Sequence, residues 1–200
     1  MTLVVSGLAR HFGGVQAVRD VSFTLHPGEC VALIGPNGAG KSTTFACIAG
    51  QLQPHAGSVV WNGARIDTLD AAERMRRGVA RTFQVAQVFE ALTVLQNLQL
   101  LMQIPRGLNV YDDLDRCAKP LAQALLEQVD LGAWGNTLAR HVPYGAKKRL
   151  ELAMALAGLQ DCGLGVPRQR PHDAQLLLLD EPAAGLAASE RQTLMALVHS

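Results

Sequence analysis

Gly35-Pro36-Asn37-Gly38-Ala39-Gly40-Lys41-Ser42 has the spacing GxxxxGK[ST], and its setting matters as much as its letters. Before it stands an unbroken apolar run, Cys30–Ile34; after it, Lys41–Ala49 reads as a helix closed by Gly50. Glycines allow successive backbone N–H groups to turn inward around phosphate oxygens. A helix starting at Lys41 aims its positive end at the same anion. The Lys41 ammonium suits the β- and γ-phosphates, and the Ser42 hydroxyl suits Mg²⁺. The run Cys30–Ile34 predicts a strand buried on both faces, as in a parallel sheet. Strand, glycine-rich loop and helix in that order are the context in which this motif holds a nucleotide.

The flanking sequence fits an α/β core. Thr2–Val5 and Val21–Leu25 read as strands, and His26-Pro27-Gly28-Glu29 as a turn. Ser58–Trp61, Asn62-Gly63 and Ala64–Ile66 form a hairpin pattern. Asp70–Arg77 reads as a helix N-capped by Asp70, and Val79–Phe83 is β-like. Near residue 85 the pattern becomes helical. Thr93–Ile104 places Leu95, Leu98, Leu101 and Met102 on one face, with Thr93 and Gln96 spaced as a capping box. Pro105–Asn109 breaks the helix, and Asp113–Val129 carries a break or restart at Pro120. Ala146–Leu159 is a strong helix, Asp161–Asp173 an exposed loop, Leu176–Leu179 a buried strand, and Ser189–His199 a helix N-capped by Ser189. The expected division is a β subdomain and first part of the core over 1–84, a helical insert over 85–159, and a second part of the core over 160–200.

Leu176-Leu177-Leu178-Leu179-Asp180-Glu181 is the second chemical motif: a buried strand running into two carboxylates. Asp180 can support Mg²⁺, and Glu181 can polarise a water against a γ-phosphate. The composition sets outer limits. Of 200 residues, 48% are apolar and 18% charged, which describes a globular chain. The net charge of +1 gives no basic field of the kind nucleic acid demands. No run approaches the ~20 apolar residues of a membrane-spanning helix. Cys30, Cys47, Cys117 and Cys162 are widely spaced without a CxxC, which reads as reduced thiols.

Together these residues resemble the nucleotide-binding subunit of ATP-binding cassette (ABC) transporters. Phe12 stands where that family stacks an aromatic on adenine, and Thr43 extends the phosphate loop Gly35–Ser42. Gln84, in Arg81-Thr82-Phe83-Gln84, lies 43 residues after Lys41, at the place of the Q-loop glutamine that senses Mg²⁺ and water. Pro143, Tyr144, Gly145 and Ala146 occupy the place of the signature, which acts on a second subunit's nucleotide. Glu181-Pro182-Ala183-Ala184-Gly185-Leu186 resembles the turn into the D-loop. Phe12-Gly13-Gly14, Arg81–Gln84, Pro143-Tyr144-Gly145 and Ala184-Gly185-Leu186 are closest to ATP-binding subunits of branched-chain amino-acid importers.

The resemblance implies a P-loop NTPase (RecA-like) core with an N-terminal antiparallel β subdomain and an inserted helical subdomain. It implies ATP hydrolysis with Mg²⁺, a second ATP-binding subunit (identical or a paralogue) and transmembrane permease subunits. The chain would then sit peripherally at the cytoplasmic face of the membrane. Catalysis would fall to Glu181 and Gln84, and Mg²⁺ to Ser42, Gln84 and Asp180. Val85, Val88 and Phe89 would form an apolar patch for the membrane subunit. Lys147, Lys148 and Arg149 crowd the first turn of the signature helix, where cations oppose the helix dipole at ~0.3–1 kcal/mol each. They are expected to face a partner's γ-phosphate or to extend into water.

Departures from the family pattern define the rival readings. Pro143 replaces the signature serine, Ala146 its glutamine, and Ala187 the D-loop aspartate or asparagine. The family also continues past the position of Ser200 with a strand and a switch histidine. The chain therefore reads as truncated within the core, with reduced stability and weak hydrolysis expected. A nucleotide-binding module without catalysis, or a soluble cassette acting on DNA or the ribosome, are the alternatives.

Overall fold

The computed structural model describes residues 2–103, 114–159 and 175–199. These residues fall in two compact units. The first holds the described residues up to 79 together with 175–178, and the second holds the rest.

In the first unit, β1 (Leu3–Phe12) and β2 (Val15–Leu25) form an antiparallel hairpin with Leu3 opposite Leu25 and Phe12 opposite Val15. β3 (Ala56–Trp61) pairs antiparallel with the other edge of β1, Leu3 opposite Trp61, and β4 (Ala64–Arg65) completes the order β2-β1-β3-β4. The β3–β4 turn is tight because Asn62 (φ 50°) and Gly63 (φ 78°) both take the left-handed conformation. Alternate side chains Leu3, Val5, Val59 and Trp61 go inward, joined by Leu8, and meet Cys47 and Ile48 of α1 (Lys41–Ala49) and Ile66.

The helix α2 (Ala71–Arg76) opens with a complete capping box: Glu73 N–H donates to Asp70 Oδ1 at 2.7 Å, and Asp70 N–H to Glu73 Oε2 at 3.1 Å. Its Arg74 is fully buried. The guanidinium donates to the carbonyls of Cys47 (2.6 Å) and Ile48 (2.9 Å), which end α1, and to those of Asp67 (2.9 Å) and Leu69 (3.0 Å). The last carbonyls of a helix lack intrahelical donors, and here an arginine from the next helix supplies them.

One expected strand is absent. Residues 29–36 take no regular structure, and Val31 and Ile34 are 56% and 90% exposed. A strand is a pairing rather than a property of a run, and among the described residues Cys30–Ile34 has no ladder partner.

A second, two-stranded sheet joins β5 (Val79–Arg81) and β6 (Leu176–Leu178), with Leu176 N–H donating to Gly78 O at 2.8 Å. The chain passes from the first unit to the second inside β5, and again after β6.

The second unit is built on α3 (Val94–Gln103), α4 (Leu114–Gln128) and α5 (Tyr144–Leu159). Val94, Leu98 and Met102 of α3 pack with Ala122, Leu125 and Leu126 of α4 and with Leu150 and Ala153 of α5. Thr93 and Gln96 cap α3 reciprocally, at 2.9 and 3.1 Å. The break expected at Pro120 does not occur: α4 runs through it. Proline costs a helix one backbone bond and a clash, and the buried face of Ala122, Leu125 and Leu126 on the far side holds the helix across it. The last helix, α6 (Ala188–His199), begins one residue before Ser189. Ala187 takes the capping position, and Glu190 Oε2 accepts its N–H at 3.0 Å. The expectations for Pro105–Asn109 and Asp161–Asp173 lie outside the described residues.

Candidate functional site

The phosphate loop enters α1 through two glycines in the left-handed conformation, Gly38 (φ 83°) and Gly40 (φ 84°). Gly40 is required twice over, because a Cβ there would also run into the carbonyl oxygen of Ala17. As the N-cap of α1 it offers no side-chain acceptor, so no side chain there caps the helix's first N–H groups. Ala39 N–H donates to Pro36 O at 3.2 Å, which closes the loop's turn. Lys41 Nζ donates to the carbonyls of Gly35 (2.7 Å) and Pro36 (2.9 Å), so the ammonium lies over the loop it follows. Asn37 and Ser42 are exposed and Thr43 is half-buried. Phe12, at the end of β1, is exposed, and the Arg10 guanidinium lies 5.0 Å from its ring centroid.

In the second unit, the residues after β6 meet those after β5. Asp180 is 3% exposed and accepts from Arg81 Nη2 at 2.7 Å, a pair whose side chains are both almost wholly buried. The exposed Gln84 Nε2 donates to Glu181 Oε2 at 3.1 Å. The structure thus brings together Gln84 and Glu181, 97 residues apart, which the sequence assigned separately. Glu181 has φ 48°, uncommon for a side chain of this size and worth about 1–2 kcal/mol of strain. Such strain collects where a side chain must point in one direction. The sequence marks Arg81 only as a member of the Arg81–Gln84 motif. Its signal is a charge in the otherwise apolar β5.

The signature segment is less open than expected. Pro143 and Tyr144 are exposed, but Gly145 and Ala146 are buried, Ala146 in the helical core. The Glu190 carboxylate lies directly against Gly145, on ground that a Cβ would occupy. The Tyr144 ring lies beside Gly185, the left-handed glycine (φ 76°) of the D-loop turn.

Each of the three cations at the start of α5 has an acidic partner within the unit: Lys147 and Arg149 make theirs at the solvent-facing surface, and only Lys148 is buried. Lys147 pairs with Glu90 at 2.8 Å, and Arg149 with Asp130 at 2.8 Å. Lys148 Nζ donates to Phe83 O at 2.7 Å and lies 3.3 Å from Glu151 Oε2. Burial pushes the Glu151 carboxyl above its ordinary range, against the opposing pull of the Phe83 N–H and of Lys148. Sequence reading treats clustered charges as solvated; here Glu90 and Asp130, 57 and 19 residues away, partner Lys147 and Arg149, and Glu151 on the same helix partners Lys148. Val85 and Phe89 are exposed, whereas Val88 packs against the helical core.

A profile described as ABC transporter matches residues 18–163, well over half of the chain. The chain belongs to the ABC transporter family. It is 36% identical, over 98% of its length and 75% of theirs, to two proteins named as high-affinity branched-chain amino acid transport ATP-binding proteins: BraF of Pseudomonas aeruginosa and LivG of Escherichia coli. It is 34% identical over 92% of its length to the lipopolysaccharide export system ATP-binding protein LptB of Escherichia coli, covering 69% of that protein. Among solved structures, it superposes on MJ1267, described as an ATP-binding cassette of an ABC transporter, with a TM-score of 0.80, 26% identity, and coverage of 98% and 75%. The ADP conformation of the same cassette gives 0.76.

The chain is thus an ABC ATPase with a P-loop NTPase fold, shorter than these relatives. The family binds nucleotide, ADP being present in one of those neighbours. Among the described residues no helix is long and apolar enough to cross a membrane.

Proposed function

We propose that the chain is the energy-coupling ATPase of an importer for branched-chain amino acids or similar small solutes, docked peripherally on transmembrane permease subunits at the cytoplasmic face. The observation that carries the ATPase part is the conformation of the phosphate loop. Left-handed Gly38 and Gly40 lead into a helix start with no side-chain cap, and the Lys41 ammonium lies over the loop. Lys41 exchanges its two carbonyl partners for β- and γ-phosphate oxygens, Gly35–Gly40 cradle them, and Ser42 and Thr43 stand on the first turn of α1. Phe12 supplies an exposed ring face for adenine.

Glu181 orients the attacking water and takes its proton, and Gln84, hydrogen-bonded to Glu181, fixes that carboxylate's rotamer. Mg²⁺, when bound, neutralises charge on the phosphate oxygens; Ser42, Gln84 and Asp180 are the side chains that would hold it. The donor chemistry fits. Hydroxyl, amide and carboxylate are each oxygen donors of the kind a hard cation takes, its other ligands coming from phosphate and water. Asp180 already accepts a cationic partner in Arg81.

A second ATP-binding subunit, identical or paralogous, would meet the exposed Pro143 and Tyr144; Gly145 becomes available to it only if Glu190 withdraws, and Ala146 stays packed in the helical core. The exposed Val85 and Phe89 give the permease an apolar contact beside the Q-loop. The cargo rests on likeness to BraF and LivG; the similar LptB is named for lipopolysaccharide export, so cargo belongs to the permease rather than to the cassette. Co-expression with a branched-chain amino-acid permease and measurement of ATP-dependent leucine uptake in vesicles tests this. Uptake that is lost with Glu181→Gln supports it, and failure to associate with the permease refutes it.

A further inference from the structure

We propose that Lys148 and Glu151 are positioning residues, a two-pronged clamp on the backbone of Phe83 by which the first turns of α5 set the place of Gln84. The inference rests on the reading of Gln84 as a residue of the nucleotide site.

Phe83 follows the end of β5, so no strand ladder supplies partners for its N–H and C=O. Two side chains one turn apart on α5 do so instead. Phe83 N–H donates to Glu151 Oε1 at 2.7 Å, and Lys148 Nζ donates to Phe83 O at 2.7 Å. The prongs are joined to each other at 3.3 Å, and Glu151 Oε1 also lies 3.5 Å from the N–H of Gln87. Lys148 is 2% exposed and Glu151 5%. Thr82, Leu152, Leu179, Pro182 and Leu194 close the surroundings.

Stability alone does not explain such a pair. A buried ion pair is often no better than apolar side chains of the same volume. What the pair provides is direction. Charge-assisted bonds to both polar groups of one residue fix its peptide planes, and the next residue is Gln84, whose amide reaches Glu181. Any shift of the start of α5 is therefore transmitted across one peptide unit to Gln84. The same turns of α5 carry Gly145 and Ala146, so the clamp links the signature segment to the Q-loop within one chain.

The test compares the 200-residue chain with Glu151→Ala, Glu151→Gln, Lys148→Met, Gln84→Ala and the Glu151→Ala/Gln84→Ala double variant. Amide hydrogen exchange is followed over peptides within residues 80–90, alongside phosphate release from ATP. Glu151→Ala and Lys148→Met are expected to speed exchange at 83–87 at least tenfold, with α3 unchanged. Glu151→Gln keeps an acceptor for the Phe83 N–H and serves as the milder variant should Glu151→Ala not fold; it should speed exchange less. Phosphate release should fall in Glu151→Ala and fall no further when Gln84→Ala is added. Unchanged exchange at 83–87, exchange raised equally through α3 and α5, or additive losses of release would each overturn the proposal. If Gln84→Ala leaves release intact while the local exchange rise persists, the clamp stands and the catalytic reading of Gln84 is what fails.

Discussion

Replacing Arg74 with methionine should destabilise the first unit more than any single apolar truncation on its surface. Methionine matches the aliphatic stem, so little packing is lost. What disappears is four donor contacts, to the carbonyls of Cys47, Ile48, Asp67 and Leu69 at 2.6–3.0 Å, in a side chain with no measurable exposure. An orphaned buried acceptor costs roughly 1–3 kcal/mol, part of it recovered by relaxation and entering water. The expected net loss is about 3–5 kcal/mol, near the lower end of what four orphaned carbonyls would cost together, because relaxation and water recover part of it. Domains have only about 5–15 kcal/mol in total. Two of the four carbonyls end α1, whose other end holds the phosphate loop, so ATP affinity should fall with stability. Arg74→Lys should recover only part, because one ammonium cannot span four acceptors. Urea unfolding of the three proteins, with ATP binding by calorimetry, is the assay. A loss below about 1 kcal/mol for Arg74→Met would refute the reasoning, because it would mean those carbonyls need no donor.

Gly40→Ala should abolish nucleotide binding. Its left-handed φ costs about 1–2 kcal/mol for any other residue, and the added methyl meets the Ala17 carbonyl; retained affinity in a binding titration would contradict this. Arg81→Met removes the ion-pair partner of the buried Asp180 carboxylate and should lower the unfolding free energy by about 3 kcal/mol, read by denaturant titration. Asp67 is held below its ordinary range by hydrogen bonds from Arg65, against burial. Its contribution is present above the unfolded value of 3.8 and is lost as pH falls through the lower folded value. Asp67→Asn should therefore flatten the acid limb of a stability–pH curve below about pH 4 and leave its shape at neutral pH unchanged.

The parts of the fold that could be read from sequence are those whose cause is local. The Asp70 N-cap and the Thr93/Gln96 capping box place an acceptor three residues before its donor, so the letters specify the bond. The phosphate loop is legible because left-handed backbone at positions 38 and 40 demands glycine. The Asn62-Gly63 hairpin is legible for the same reason. The failures share the opposite cause. Cys30–Ile34 has the composition of a buried strand, but a strand depends on neighbours that the run does not contain. Lys148 and Glu151 look like a solvated pair on a helix, yet their partner is the backbone of Phe83, 65 and 68 residues away. Arg74 looks like one more surface arginine until Cys47 and Ile48 are folded beneath it. At the candidate site, the carboxylates and the glutamine were named from their motifs. The bonds Arg81–Asp180 and Gln84–Glu181, spanning 99 and 97 positions, and the cover of Glu190 over Gly145 were not, because residues brought together from so far along the chain leave no periodic trace.

The most direct measurement is ATP binding and phosphate release, side by side, for the 200-residue chain, Lys41→Ala and Glu181→Gln. Binding that is lost in Lys41→Ala, with release lost but binding kept in Glu181→Gln, is the predicted result. Unchanged binding in Lys41→Ala, or release from Glu181→Gln at the parent rate, would contradict it.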